Sequence, residues 1–198
     1  MNVSKYIVLL FTMAGFSVVA GAQTQQTLDS INHRRINITN NGMWVLGTWA
    51  VANMAYSGIK MANSSGQEKY FHQMNVAWNT VNLALAAGSL LTNDFETLSL
   101  QKTLASQHKM EKILLFNAGL DVAYMATGLW LKEKGKTATN NPDRFTGFGN
   151  SLLMQGGFLL LFDATFYYVL QQHGTKTLGL LENVNVGLNS ISLRWAIQ

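Results

Sequence analysis

Long apolar stretches separated by short polar ones occupy the chain from residue 42 to residue 172. Each stretch is long enough for a helix to cross the roughly 30 Å hydrocarbon core of a bilayer, which takes about 20 mostly apolar residues. The four stretches are residues 42–61, 71–92, 110–131 and 145–172. Because short connections favour antiparallel neighbours, the pattern predicts an all-α fold, a four-helix up-down-up-down transmembrane bundle.

Polar residues recur within these stretches at spacings of three and four, which places them on one face of each helix. The second helix shows the stripe most clearly, with Asn75, Asn79 and Asn82. An unpaired amide is costly in hydrocarbon, so we expect these side chains to turn inward and hydrogen-bond across helices, which needs no ligand. The predicted buried polar cluster, a candidate ligand-binding site, comprises Asn53, Tyr56, Asn75, Asn79, Asn82, Asn117, Asp121, Tyr124, Gln155 and Asp163.

Two carboxylates lie in the middle of apolar stretches, Asp121 on the third helix and Asp163 on the fourth. A charged Asp at that depth costs roughly 3 kcal/mol, and the spans carry no Lys or Arg at comparable depth. Three outcomes stay open: a neutral carboxyl, a shell of donors from Asn, Gln and Tyr, or a bound cation or proton pathway. Only the third is a transport or sensing function.

The two halves of the chain look like copies of one helical hairpin. Asn53-Met54-Ala55-Tyr56 matches Asp121-Val122-Ala123-Tyr124, and Glu68-Lys69-Tyr70 matches Asp143-Arg144-Phe145. Two spans per copy would give both copies the same orientation, so a symmetry axis would lie along the membrane normal. Chance similarity between apolar helices is the alternative.

The chain begins with features of an exported protein. Residues 1–22 fit a signal peptide, with Lys5, an apolar run and Ala20-Gly21-Ala22, although an uncleaved first anchor is the competing interpretation. Residues 23–41 then form a polar extracytoplasmic lead-in. Lysines in the loops 60–70 and 132–144 favour a cytoplasmic position for these loops. We therefore expect a multi-pass protein of a bacterial inner membrane with both mature termini on the periplasmic side.

The last residues change period. From Glu182 to Gln198, apolar and polar residues alternate, with a shift of phase after Ser190. Alternation predicts strands, so we expect an extracytoplasmic tail, 173–198, with a short strand or hairpin.

Composition narrows the function classes. Charged residues make up 12% of the chain, cysteines are absent, and the net charge of +4 is spread over both ends and all loops. The absence of cysteine excludes disulfides and thiolate chemistry, and the lack of a basic cluster argues against nucleic acid as a partner. The four histidines are too scattered for a metal or haem site, and no catalytic motif is present. We expect no enzymatic activity, no cofactor and no metal, and as partners the lipid bilayer with another membrane protein or a second copy of the chain.

The segments EKILLFNAGLDVAYMATGLWL and MNVAWNTVNLALAAG, with the Ala-Gln junction after the signal peptide, carry a resemblance. The chain resembles a family of small four-helix membrane proteins of unknown function from bacteria of the Bacteroidetes type, over about residues 32–172. That family supplies no mechanism. The resemblance implies that its motif segments include Trp78, Asn79, Asn82, Asn117, Gly119, Asp121 and Tyr124.

Three functions are compatible with these patterns. The first is a non-enzymatic membrane bundle that acts as a structural or interaction module of the cell envelope. The second is a small carrier or channel-like protein that binds a cation or polar solute at Asp121, Asp163 and the Asn stripe. The third is a soluble exported helical bundle whose apolar runs form its core.

Overall fold

The computed structural model describes the backbone of residues 3–183, 186–187 and 190–191, and the side chains of residues 25–178. Its helices are α1 (Val3–Asn63), α2 (Gly66–Thr92), α3 (Leu100–Thr137) and α4 (Pro142–Asn183). Helices α1 and α2 form one hairpin, α3 and α4 form another, and the two hairpins meet chiefly through α2 and α4. The predicted architecture of four helices is confirmed.

The hairpin turns follow from local backbone chemistry. Gly66 begins α2 with a φ of 55°, a left-handed conformation that glycine adopts at little cost. In the second turn Asn141 has a φ of 56°. Pro142, the only proline of the chain, then occupies the first position of α4, where a missing N–H group removes no intrahelical bond.

Buried residues on α3 and α4 recur every seven positions. On α3 they are Gln107, Leu114, Asp121, Gly128 and Gly135. On α4 they are Gly149, Gly156, Asp163, Leu170 and Thr177. A seven-residue repeat keeps the contact line of two helices together only if they coil around each other in the left-handed sense. The repeat therefore determines which face of each helix is inside.

The lead-in and the start of α3 are more ordered than the apolar pattern predicted. Residues 23–41 continue α1 without a break, and α3 begins at Leu100 rather than at 110. The lead-in contains neither proline nor glycine, and its Leu28, Ile31 and Ile36 are buried. Helix formation there depends on this buried face and not on hydropathy. The predicted signal peptide lies outside the residues whose side chains are described.

The predicted tail with strand character begins later in the chain than expected, because helix α4 is longer. Helix α4 continues through Asn183, beyond the expected start of the tail at 173 and of its strand character at 182. The strands described are two residues long, β1 (Val186–Gly187) and β2 (Ser190–Ile191), paired antiparallel. The remaining residues of the tail lie outside the described part of the chain.

Two of the described helical segments are long and apolar enough to cross a membrane, Leu100–Thr137 and Pro142–Leu178. Four were predicted. Asn53 of α1 and Asn75, Asn79 and Asn82 of α2 lower the average hydropathy of the apolar stretches in these two helices.

Candidate functional site: a buried polar network

Asn75 is the centre of a hydrogen-bond network that joins three helices. Its Nδ2 donates to Ser57 Oγ at 2.6 Å and to Asn53 Oδ1 at 3.1 Å, both on α1. Its Oδ1 accepts from Gln155 Nε2 on α4 and from Asn79 Nδ2 at 3.1 Å. The Asn75 amide thus uses both N–H groups and both lone pairs on protein partners. It has no hydrogen-bonding capacity left for a ligand.

Gln155 extends the network from α4 to α1. It is fully buried, and its Oε1 accepts from Trp49 Nε1 at 3.1 Å while its Nε2 donates to Asn75. The Trp49 ring stacks on Phe158 of α4, with ring centroids 3.7 Å apart. The network is therefore fixed by ring packing on one side and by amide pairing on the other.

Further along α2 the network becomes weaker. Asn79 donates to the backbone oxygen of Asn75 at 2.8 Å, and Asn82 Nδ2 reaches Asn79 Oδ1 at 3.4 Å. All three asparagines are buried, as predicted for the inward stripe. At the other end of the network His72 is buried and its Nδ1 lies 3.1 Å from Ser57 Oγ.

Asp121 and Asp163 meet between α3 and α4. Both are buried, and their carboxyl groups are close enough to interact electrostatically. No protein donor of the described residues reaches Asp121 Oδ2. Two adjacent carboxylates repel each other, and protonation of one of them or a bound cation would remove that repulsion. The structure thus brings together the two acids that the sequence could only place on separate helices.

Close approach of α3 and α4 makes this proximity possible. A Cβ atom added at Gly128 would lie 2.8 Å from the backbone oxygen of Gly149, and one at Gly156 would lie 3.1 Å from that of Asp121. Small residues of this kind let helix backbones pack closely. The glycines therefore determine how near the carboxyl groups come.

Three members of the predicted cluster belong neither to the Asn75 network nor to the pair of aspartates. Tyr56 is 57% exposed, because the inward position of that turn of α1 belongs to Ser57, one residue further along the helix. The prediction that Tyr56 faces the interior is wrong. Asn117 and Tyr124 are half-buried on α3, and Tyr124 packs edge-on against Trp78 with centroids 4.6 Å apart.

Other buried polar residues were missed because they are small or lie outside the apolar stretches. They are Asn32, Thr39, Ser57, Thr103, Gln107, Ser151, His173 and Thr177. Asn32 donates to Thr103 Oγ1 at 3.0 Å, and His173 Nε2 lies 3.2 Å from the Ile31 oxygen. The seven-residue repeat, continued past the apolar stretches, was the signal that could have found Gln107 and Thr177.

Comparison with known families gives one match. Residues 45–164 match a family of unknown function, DUF6992, over more than half of the chain. The chain belongs to this family. The DUF6992 match includes the two segments that carried the resemblance and excludes the lead-in and the tail. It also includes the whole Asn75 network and both aspartates. No curated protein and no solved structure matches the chain.

Proposed function

We propose that this protein is a non-enzymatic integral membrane protein, a polar-cored bundle that serves as a structural or interaction module of the cell envelope. One observation carries the proposal: the interior of the described bundle is unusually rich in polar side chains. Of its eight largest fully buried side chains, only Leu170 is apolar. Water-soluble proteins bury apolar side chains and leave polar ones outside.

The outer surface supports the same proposal. Large apolar side chains are exposed on all four helices, among them Trp44 at 65%, Leu85 at 60%, Phe116 at 68% and Leu161 at 72%. A surface with this many exposed large apolar side chains normally contacts a partner or lipid. Lipid is the solvent that would cover it on every side.

The position of the charges favours lipid over a protein partner. No Asp, Glu, Lys or Arg occurs at 36–59 of α1 or 70–92 of α2, and only Asp121 and Asp163 interrupt 113–131 of α3 and 145–175 of α4. Charge-free zones on all four helices are what a bilayer requires. The average hydropathy of α1 and α2 underestimates how apolar their outer faces are, because the average also includes their polar inner faces.

Alkaline carbonate extraction of bacterial membranes tests the proposal. We expect the full chain to stay in the membrane pellet and to enter solution only with a detergent such as dodecyl maltoside. Reporter fusions in the turns at 64–65 and 138–141 should report the cytoplasm. Release of the chain with the soluble fraction would favour the soluble bundle and overturn the membrane proposal.

The proximity of Asp121 and Asp163 favours a second candidate, proton binding coupled to transport. Among the described residues no group of three His, Cys, Asp or Glu side chains could hold a metal ion. A proton needs no such coordination shell, and two adjacent carboxyls can share one. In this role Asp121 and Asp163 would exchange a proton, while the saturated Asn75 network would hold the helices in place.

Proteoliposomes with a trapped pH-sensitive dye separate the two candidates. If the pair is purely structural, the double variant Asp121→Asn/Asp163→Asn should assemble normally. Neither the wild type nor the double variant should then move protons. A transport role predicts proton flux in the wild type that the double variant loses. Flux of equal size in both proteins would eliminate Asp121 and Asp163 as carriers.

A further inference from the structure

A second polar site lies away from the carboxyl pair, where α1, α3 and α4 extend beyond the charge-free zones of α1 and α3. A cavity of about 100 Å³ lies between these three helices. Its lining includes Arg35 of α1, Thr103, Gln107, His108 and Glu111 of α3, and Thr175 of α4. Pockets for drug-sized ligands measure about 300–1,000 Å³, so an occupant of this cavity must be compact.

Arg35 is a cation without a partner. Its side chain is half-buried, forms no hydrogen bond or ion pair with any described residue, and its Nε is sealed from solvent. Loss of solvent lowers the pKa of Arg35, although a guanidinium remains charged at neutral pH. A guanidinium that pairs with no protein group can bind carboxylate or phosphate oxygens with its two terminal nitrogens through parallel hydrogen bonds.

Glu111 supplies the opposite charge in the same cavity but forms no ion pair with Arg35. Its Oε1 accepts from Gln107 Nε2 at 2.7 Å, and Gln107 also donates to the Leu170 oxygen at 2.7 Å. Gly174 leaves room for this arrangement, since a Cβ there would lie 2.9 Å from Glu111 Oε1. The two opposite charges therefore line one cavity without neutralising each other.

We propose that this cavity binds a compact zwitterion, with its anionic group on Arg35 and its ammonium group on Glu111. Thr103 and Thr175 offer hydroxyl groups on the same lining. A small α-amino acid has this chemistry, and so does the phosphoethanolamine headgroup of a lipid. The soluble ligand does not depend on the proposed membrane location, whereas the lipid ligand does.

Calorimetry and thermal unfolding of the full chain in dodecyl maltoside test the proposal with L-alanine and O-phosphoethanolamine as probes. At least one probe should bind and raise the unfolding midpoint, whereas acetate and methylammonium, each half of a zwitterion, should bind at least tenfold more weakly. A preference for L-alanine indicates a soluble ligand. A preference for O-phosphoethanolamine, with stabilisation by phosphatidylethanolamine but not phosphatidylglycerol nanodiscs, indicates a lipid.

Matched variants assign the binding to the two charges. Arg35→Gln and Glu111→Gln should each weaken binding at least tenfold, while Arg34→Gln and Glu96→Gln, exposed and outside the cavity, should leave it unchanged. Arg35→Lys keeps the positive charge but lacks the planar guanidinium. It replaces Arg35→Gln in the binding measurement if Arg35→Gln does not fold. Absence of binding by both probes, equal binding of acetate, or full binding by Arg35→Gln would overturn the proposal.

Discussion

At the scale of single residues, the interior of this protein depends on saturated amides. Asn75 satisfies all of its hydrogen-bonding groups with four protein partners, and Gln155 links two helices through its two ends. In a membrane, hydrogen bonds between helices contribute only about 0.6 kcal/mol on average, but an unpaired buried partner costs more. The contribution of each amide to stability therefore depends on how many hydrogen-bond partners its removal would leave unpaired.

This difference predicts unequal effects of two polar-to-apolar substitutions. Gln155→Met leaves Trp49 Nε1 and one lone pair of Asn75 unpaired, and we expect it to lower the free energy of unfolding by about 1–3 kcal/mol. Asn82→Leu removes a single 3.4 Å hydrogen bond and should cost less than about 1 kcal/mol. Unfolding in mixed dodecyl maltoside and sodium dodecyl sulfate measures both. Equal losses would show that the network does not stabilise the bundle as described.

At the scale of helices, glycine positions determine how closely α3 and α4 approach. Gly128 and Gly149 each lie against the other's backbone oxygen. Gly135, one seven-residue repeat after Gly128, faces Thr146. Gly119, also on α3, has nothing within 4 Å of an added Cβ. Two glycines of one helix thus have opposite roles.

We therefore expect alanine to act oppositely at the two positions. Gly128→Ala forces the helices apart and should destabilise the protein by about 1–3 kcal/mol. Gly119→Ala should be neutral or should raise stability by up to about 1 kcal/mol, since alanine loses less conformational freedom in a helix. Thermal unfolding in detergent gives both changes. A tolerated Gly128→Ala would contradict the close approach, because its Cβ would lie 2.8 Å from the Gly149 oxygen.

At the scale of the whole molecule, an apolar outer surface encloses a polar interior, and charges are concentrated at the helix ends. For a bundle in water, an added charge on an exposed position is nearly neutral. For a bundle in lipid, a charge near the bilayer centre costs about 3 kcal/mol, whereas one near a helix end can reach the interface. The surrounding solvent therefore determines what a surface lysine does.

Two leucines make this difference measurable. Leu161, 72% exposed, lies near the middle of α4, and Leu91, 81% exposed, lies in the last turn of α2. We expect Leu161→Lys to reduce the amount of inserted protein several-fold and Leu91→Lys to have little effect, as judged by quantitative blotting of carbonate-washed membranes. Equal amounts of both variants would argue that water, not lipid, surrounds α4.

The sequence by itself determined the four helices, the inward stripe of asparagines and the position of the two aspartates within apolar stretches of two helices, because helical periodicity and hydropathy are local properties of the chain. It could not determine which polar groups meet. That depends on the axial shift and rotation of one helix against another, and the glycine contacts set both. Only the tertiary structure therefore placed Asp121 near Asp163, turned Ser57 inward in place of Tyr56, and placed Arg35 and Glu111 in one cavity without an ion pair between them.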